Sequence, residues 1–160
     1  MIAVENQVAV LPISVAAIFD APNFTALSQA NAKECLVPEA KPQRAFYEAI
    51  EQSGVLKCFA AYADLDGGLP LLVGFSAVLC TVMPDHPGKT LATIKSVYVE
   101  PAYRSTGAGD LLLDAAEQCA ADSGCLAITA AARVDSAFDK VLSRRAGYAL
   151  THVQHTRWLA

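Results

Sequence analysis

SVYVEPAYRSTGAGDLLLDAAEQC, residues Ser96 to Cys119, changes its apolar period halfway along, and the rest of the chain is read outward from that change. The run that leads into it, Leu91 to Val99, carries Thr93, Ile94, Val97, Tyr98 and Val99, side chains that suit a pleated, half-buried strand. Pro101 has no N–H to donate, so the ladder is expected to stop near Glu100 and the chain to bend there. From Asp110 onward Leu112, Ala115, Ala116, Cys119 and Ala120 recur at helical spacing as one apolar stripe, which predicts a helix laid against a sheet.

Arg104 to Asp110, RSTGAGD, joins the strand to the helix. The first N–H groups of a helix have no partners and carry partial positive charge, so they attract anions. Gly107 and Gly109 lack a Cβ and let a phosphate come close to the backbone, while Arg104 adds positive charge at the mouth. The chemistry this spells is a diphosphate cradle made mainly of main-chain amides. Two other phosphate motifs fail on the letters. A dinucleotide fingerprint needs a third glycine where Leu112 stands, and a Walker loop ending in Gly88-Lys89-Thr90 needs an earlier glycine where Met83 stands. Lys89 reads as a solvated turn residue.

Val97, Val99, Pro101, Arg104, Gly107 and Gly109, followed by an amphipathic helix, resemble the acetyl-CoA-binding motif of the GNAT acyltransferase superfamily. The resemblance implies an α/β (α+β) fold with a mixed, mostly antiparallel sheet of about six to seven strands flanked by about four helices. It implies acetyl-CoA as co-substrate, without a metal. The diphosphate would lie on amides of Ser105, Thr106, Gly107, Ala108, Gly109 and Asp110, and the pantetheine arm would pair with the backbone of Val97, Tyr98 and Val99. A backbone N–H near Val99, freed where two central strands splay apart, would polarise the thioester carbonyl.

ARVDSAFDKVLSRRAGY resembles the closing motif of the same superfamily, with Gly147-Tyr148 as its final pair. Counting back, an asparagine of that motif falls on Ser136, which keeps a hydrogen-bonding group for the pantetheine arm. The tyrosine that in many members protonates the departing thiolate falls on Ser143, a weaker and shorter acid. The resemblance covers about residues 55 to 150 well and the first 50 only in outline; the compact C-terminal run is also similar to short bacteriophage members.

Composition agrees with one domain over residues 1–160, since 54% hydrophobic residues suffice for a buried core. A net charge of −4 and a pI near 5.3 offer no basic face for nucleic acid and suit cationic acceptors such as amines. The five cysteines are odd in number, form no C-x-x-C pair and read as small core residues. The uncharged run Asn6 to Phe19 contains Pro12, has no basic residue before it and is too short for a bilayer, so a soluble cytoplasmic protein is expected. High hydrophobicity with few charges suits a homodimer.

The remaining elements follow from the same signals. Val8 to Ile13 predicts a strand, Ser14 to Cys35 a helical stretch broken by Pro22, and Pro42 to Ser53 a helix stopped by Gly54. Val55 to Tyr62 and Leu71 to Val82 predict strands turned at Asp66-Gly67-Gly68, so three antiparallel strands come in succession. Gly124 ends the cofactor helix, Cys125 to Ala131 predicts a short buried strand, Asp135 a cap for a helix from Ser136 to Arg145, and Tyr148 to Leu159 a last strand.

The reaction implied is direct attack of a primary amine on the thioester, the amine belonging to a small molecule or a protein. An alkyl ammonium of pKa about 10.4 must first lose its proton. Glu100, His152, His155, His86, Asp85, Glu48 and Glu51 are the candidates for the base or the acceptor cleft, and none is marked by its context. Two other functions fit the letters: a non-catalytic acyl-CoA-binding or partner-binding domain, given Ser143, and an acetyltransferase acting on protein lysines or N-termini.

Overall fold

The computed structural model of the chain describes residues 8–37, 41–63 and 68–157. Five strands, β1 (Val8–Ile13), β2 (Leu56–Ala63), β3 (Leu71–Val82), β4 (Thr90–Val99) and β5 (Cys125–Ala130), form one sheet in chain order. The first four pair antiparallel, as three of them were expected to, and β5 pairs parallel to β4. A parallel neighbour requires a crossover, which α4 (Ala108–Asp122) supplies. The turn expected at Asp66-Gly67-Gly68 lies mostly outside the described residues.

The helices α1 (Val15–Asp20), α2 (Phe24–Glu34) and α3 (Arg44–Gln52) cover one face of the sheet. There Ile18, Phe24 and Leu27 pack on Phe75 and Tyr98, and Val15 packs on Leu56 and Ala77. The other face belongs to α4, whose Leu112 meets Val73 and Val99 and whose Leu113 and Ala116 meet Val78 and Ile94. Leu112 and Leu113 are 0% and 1% exposed. Each contributes about 1.5 to 3 kcal/mol by that burial. The sequence stripe thus found the right face of α4, with Leu113 as an added member and Ala115 and Cys119 at its half-buried margin.

Ser76 is the one buried polar side chain in the centre of β3, and its hydroxyl has no partner among the described residues. Phe75 faces α1 and α2 while Val78 faces α4, so the strand period puts Ser76 on the α4 side with Val78. An unpaired buried hydroxyl costs about 1 to 3 kcal/mol, so Ser76→Ala is expected to raise stability by about 1 kcal/mol in urea unfolding. A loss of stability would show that the hydroxyl has a partner after all.

Several sequence expectations are corrected. Among the described residues the sheet has five strands rather than six or seven, because Tyr148 to Arg157 joins no ladder; Leu159 lies outside them. Leu150 and Val153 are 89% and 70% exposed, so nothing among the described residues covers that segment as a strand would need. For the same reason β5 is not buried: it is the sheet edge, with Leu126 59% exposed. The stretch around Pro22 resolves into two helices, which brings the α-helices among the described residues to five with α5 (Ala137–Arg144). Ser136, not Asp135, caps α5 by accepting the Asp139 N–H at 3.1 Å. Of the cysteines only Cys58 is buried; all five are free thiols.

Candidate functional site

β4 holds β3 along its whole length but loses β5 halfway. Gly74 is still opposite Val99 on one side, while on the other the last pair is Ile94 with Ala130. A bulge at Lys95 interrupts the β3 ladder between Ile94 and Ser96, and there β4 turns its edge away. The Glu100 N–H goes to the Val73 carbonyl at 2.8 Å. Alternation along a strand then points the N–H groups of Val99 and Val97 toward the edge that β5 has left.

The Val99 carbonyl on that edge is taken by Arg104, whose Nε donates to it at 2.9 Å. The guanidinium also bonds Glu34 Oε1 at the end of α2, at 2.5 Å, and its carbon lies 5.7 Å from the Tyr98 ring centroid. Arg104 is therefore a brace tying β4 to α2, and Glu34 neutralises the charge that the sequence assigned to the mouth. Burial, and next the Glu34 charge, push the Tyr98 phenol above its ordinary pKa.

The corner that follows is more ordered than a loop. Pro101–Thr106 winds as a 3-10 turn, with the Thr106 hydroxyl donating to the Tyr103 carbonyl at 2.7 Å. Gly107 then takes φ 83°, a left-handed value that L side chains resist, and α4 starts directly after it, two residues before the expected Asp110. The first bond into α4 runs from the Leu111 N–H to the Gly107 carbonyl. The N–H groups of Ala108, Gly109 and Asp110 precede it on the first turn and point out of the helix end. Ser105 is exposed, and the Asp110 carboxylate turns toward Arg145 at 3.4 Å.

A cleft of about 140 Å³ opens between this corner and α5. Val97, Tyr98 and Val99 form its β4 wall, Arg104, Gly109 and Leu113 its floor, and Ala137, Phe138 and Val141 of α5 the opposite side. Arg145, just past α5, fixes that side: its guanidinium pairs with Glu117 at 2.6 Å, with Asp110, and most closely with Asp114, all on α4. The Tyr148 hydroxyl is buried beyond it, and burial followed by the Glu117 charge pushes its pKa up to about 12.

The structure brings Val97, Tyr98, Val99, Arg104 and Gly109 together and adds four contributors that the sequence did not mark. Glu34 stands 70 residues before its partner Arg104 and has no motif. Gly74 looked like an ordinary strand glycine, yet a Cβ there would lie 2.7 Å from the Tyr98 carbonyl oxygen. Phe138 and Val141 sit on the apolar side of α5, a signal that period alone could have given. Other candidates move away. Ser143 donates to the Asp139 carbonyl of its own helix at 2.8 Å and does not line the cleft, and the Ser136 hydroxyl is occupied as the α5 cap. Glu51 caps α1 through the Val15 N–H at 2.9 Å and Glu48 pairs with Arg44. His152 and His155 lie in the exposed segment after α5.

Among the described residues no helix is long and apolar enough to cross a membrane, and no group of three or more His, Cys, Asp or Glu side chains could hold a metal. The model of the acetyltransferase (GNAT) family matches residues 24–140, and the chain belongs to that family. By sequence, no curated protein matches it. Solved structures share the fold at low identity. Ribosomal-protein-alanine N-acetyltransferase from Brucella melitensis biovar Abortus 2308 aligns with a TM-score of 0.68 and 18% identity, covering 96% of this chain and 100% of its own. The aminoglycoside acetyltransferase meta-AAC0020 from an uncultured soil metagenomic sample, in complex with sisomicin, gives 0.71 and 18% over 98% and 99%. AAC(6')-Iy in complex with a bisubstrate analogue, CoA-S-monomethyl-acetylneamine, gives 0.69 and 15% over 96% and 99%.

Proposed function

We propose that this chain moves the acetyl group of acetyl-CoA to a primary amine by direct attack in a ternary complex. The observation that carries the proposal is the juxtaposition of an unpaired β4 edge with the open N-terminus of α4 across Gly107. Those two features fit the ligand: the corner offers main-chain donors without a Cβ in the way, and the edge offers a strand without a partner. The amides from Ser105 to Asp110, chiefly those of the first turn of α4, would hold the diphosphate. The backbone of Val97 to Val99 would pair with the pantetheine arm, with Ala137, Phe138 and Val141 of α5 as the far wall. Bound acetyl-CoA would supply a thioester carbonyl as the electrophile, and the Val99 N–H would be the donor that stabilises charge on its oxygen. In oxyanion holes generally, removing one preorganised donor costs about 2.7 to 4 kcal/mol.

The neighbours named for ribosomal-protein alanine and for aminoglycosides support an amine acceptor of this general kind. The test is release of free CoA from acetyl-CoA in the presence of an amine panel. Acceptor-dependent release supports the proposal; tight CoA binding without release from any amine would leave an acyl-CoA-binding domain instead. Ser143, committed to its own helix, is expected to matter little, and Ser143→Ala should keep kcat within about threefold. A loss of about 100-fold or more would restore it as the acid for the thiolate.

A further inference from the structure

A second cavity, of about 260 Å³, lies on the other side of β4, between the sheet and α1, α2 and α3. The two spaces meet at β4: Lys95 and Ser96 line this one, and Val97 to Val99 line the cleft. The end of α2 also serves both, with Asn31 and, just past the helix, Cys35 lining the cavity and Glu34 the cleft. Four aromatic side chains stand in its mostly apolar wall, beside the polar Ser28, Asn31 and Ser96. Phe19 and Phe24 have ring centroids 4.9 Å apart, Phe24 and Phe75 5.4 Å, and Phe19 and Tyr47 6.2 Å. No carboxylate belongs to the described lining, and the one charged side chain there is Lys95, whose Nζ lies 5.9 Å from the Tyr47 ring centroid.

We propose that this cavity receives the acceptor, and that the acceptor is a compact primary amine on an aromatic or branched apolar body with no second positive charge. The inference rests on the acetyl-transfer reading above and narrows its substrate. The volume lies below the roughly 300 to 1,000 Å³ of pockets that take drug-sized ligands, which favours a compact acceptor over a multi-ring aminoglycoside. A polyamine would bring a second cation to Lys95, with no carboxylate among the described lining residues to offset it. The net charge of −4 favoured cationic acceptors at the level of the whole chain, but that charge is not in this cavity.

The same walls account for the absence of a marked base. An apolar surround disfavours an ammonium, so the amine enters neutral with its proton already lost to water. Its nitrogen then bonds to the thioester carbon, the C–S bond breaks with its electron pair kept on sulfur, and one amine proton passes through water to the thiolate. Among the described lining residues, the groups that could titrate around it are Lys95 on β4, Tyr47 on α3, Cys35 just past α2 and Cys58 on β2. Burial raises both thiols, Cys58 to about 11, so neither is a thiolate base near neutral pH. Glu34 is paired with Arg104, Glu48 with Arg44 and Glu51 with the Val15 N–H.

The test titrates phenethylamine and spermidine separately into the wild-type chain saturated with CoA, by calorimetry. Phenethylamine is expected to bind at least about tenfold more tightly than spermidine, a difference of about 1.4 kcal/mol. Ala77→Phe, which fills the cavity wall, should abolish phenethylamine binding while CoA still binds. Lys95 is exposed, so Lys95→Glu should fold normally and bring spermidine to within about threefold of phenethylamine. With acetyl-CoA, kcat/KM for phenethylamine should climb tenfold per pH unit until the amine's own pKa of roughly 10. Spermidine binding as tightly as phenethylamine to the wild type, neither amine binding to a CoA complex that does form, or a kcat/KM plateau near pH 7 would each overturn the inference. Absence of CoA binding in the first titration would instead remove the acetyl-transfer reading beneath it.

Discussion

Gly74→Ala is expected to cost about 3 kcal/mol of stability and to weaken CoA binding together with it. A Cβ at this position would stand 2.7 Å from the Tyr98 carbonyl oxygen, 3.2 Å from Val99 Cγ2 and 3.4 Å from Leu112 Cδ1. The first of these is a backbone atom and cannot rotate away, so β3 must shift from β4 at the last pair before the open edge. Overpacking a filled core costs about 1 to 3 kcal/mol, and a backbone clash belongs at the upper end. The shift would also displace the Val99 N–H. Urea unfolding at constant m-value and a CoA titration on the folded fraction measure the two effects. A variant as stable as wild type would show that the two strands are not packed so closely.

Gly107→Glu is expected to lower CoA affinity by about 100-fold, or about 2.7 kcal/mol. Two causes act together. Gly107 holds φ 83°, and a left-handed conformation costs an L residue about 1 to 2 kcal/mol, part of which relaxes by tilting the first turn of α4. The new carboxylate also stands beside the amides that would receive a diphosphate, where like charges repel. A Cβ at Gly107 meets nothing within 4 Å, so sterics inside the chain play no part. Gly124→Glu is the control: it lies at the opposite end of α4 with φ 67° and equal room. It should lose similar stability and keep its CoA affinity. Equal loss of affinity in both would trace the effect to the stability of α4 rather than to an anion site at its start.

What the sequence disclosed and what it hid follow from how local each signal is. Pro101, Gly107 and the change of period at the corner are local, and the strand, the turn and α4 lie where those residues put them. The last strand failed because alternation from Tyr148 onward is a property of the segment alone, whereas a strand also needs a neighbour and a cover, and Leu150 has neither. The same limit hid Glu34. Nothing near it in sequence foretells that α2 ends beside Arg104, and a lone arginine before two glycines looks free when it is in fact braced. The bulge at Lys95 and the aromatic cavity behind it belong to the packing of four elements, so only the folded chain brings Phe19, Phe24, Tyr47 and Phe75 around one space.

The central claim is that exposed main-chain donors at the β4 edge and the start of α4 hold the CoA diphosphate and pantetheine. Calorimetric titration of purified wild-type protein with CoA tests it most directly, run beside Gly107→Glu and Gly124→Glu. A saturable one-site heat in the wild type, retained in Gly124→Glu and reduced about 100-fold in affinity in Gly107→Glu, is the result expected. No heat in the wild type, or unchanged affinity in Gly107→Glu, would contradict it.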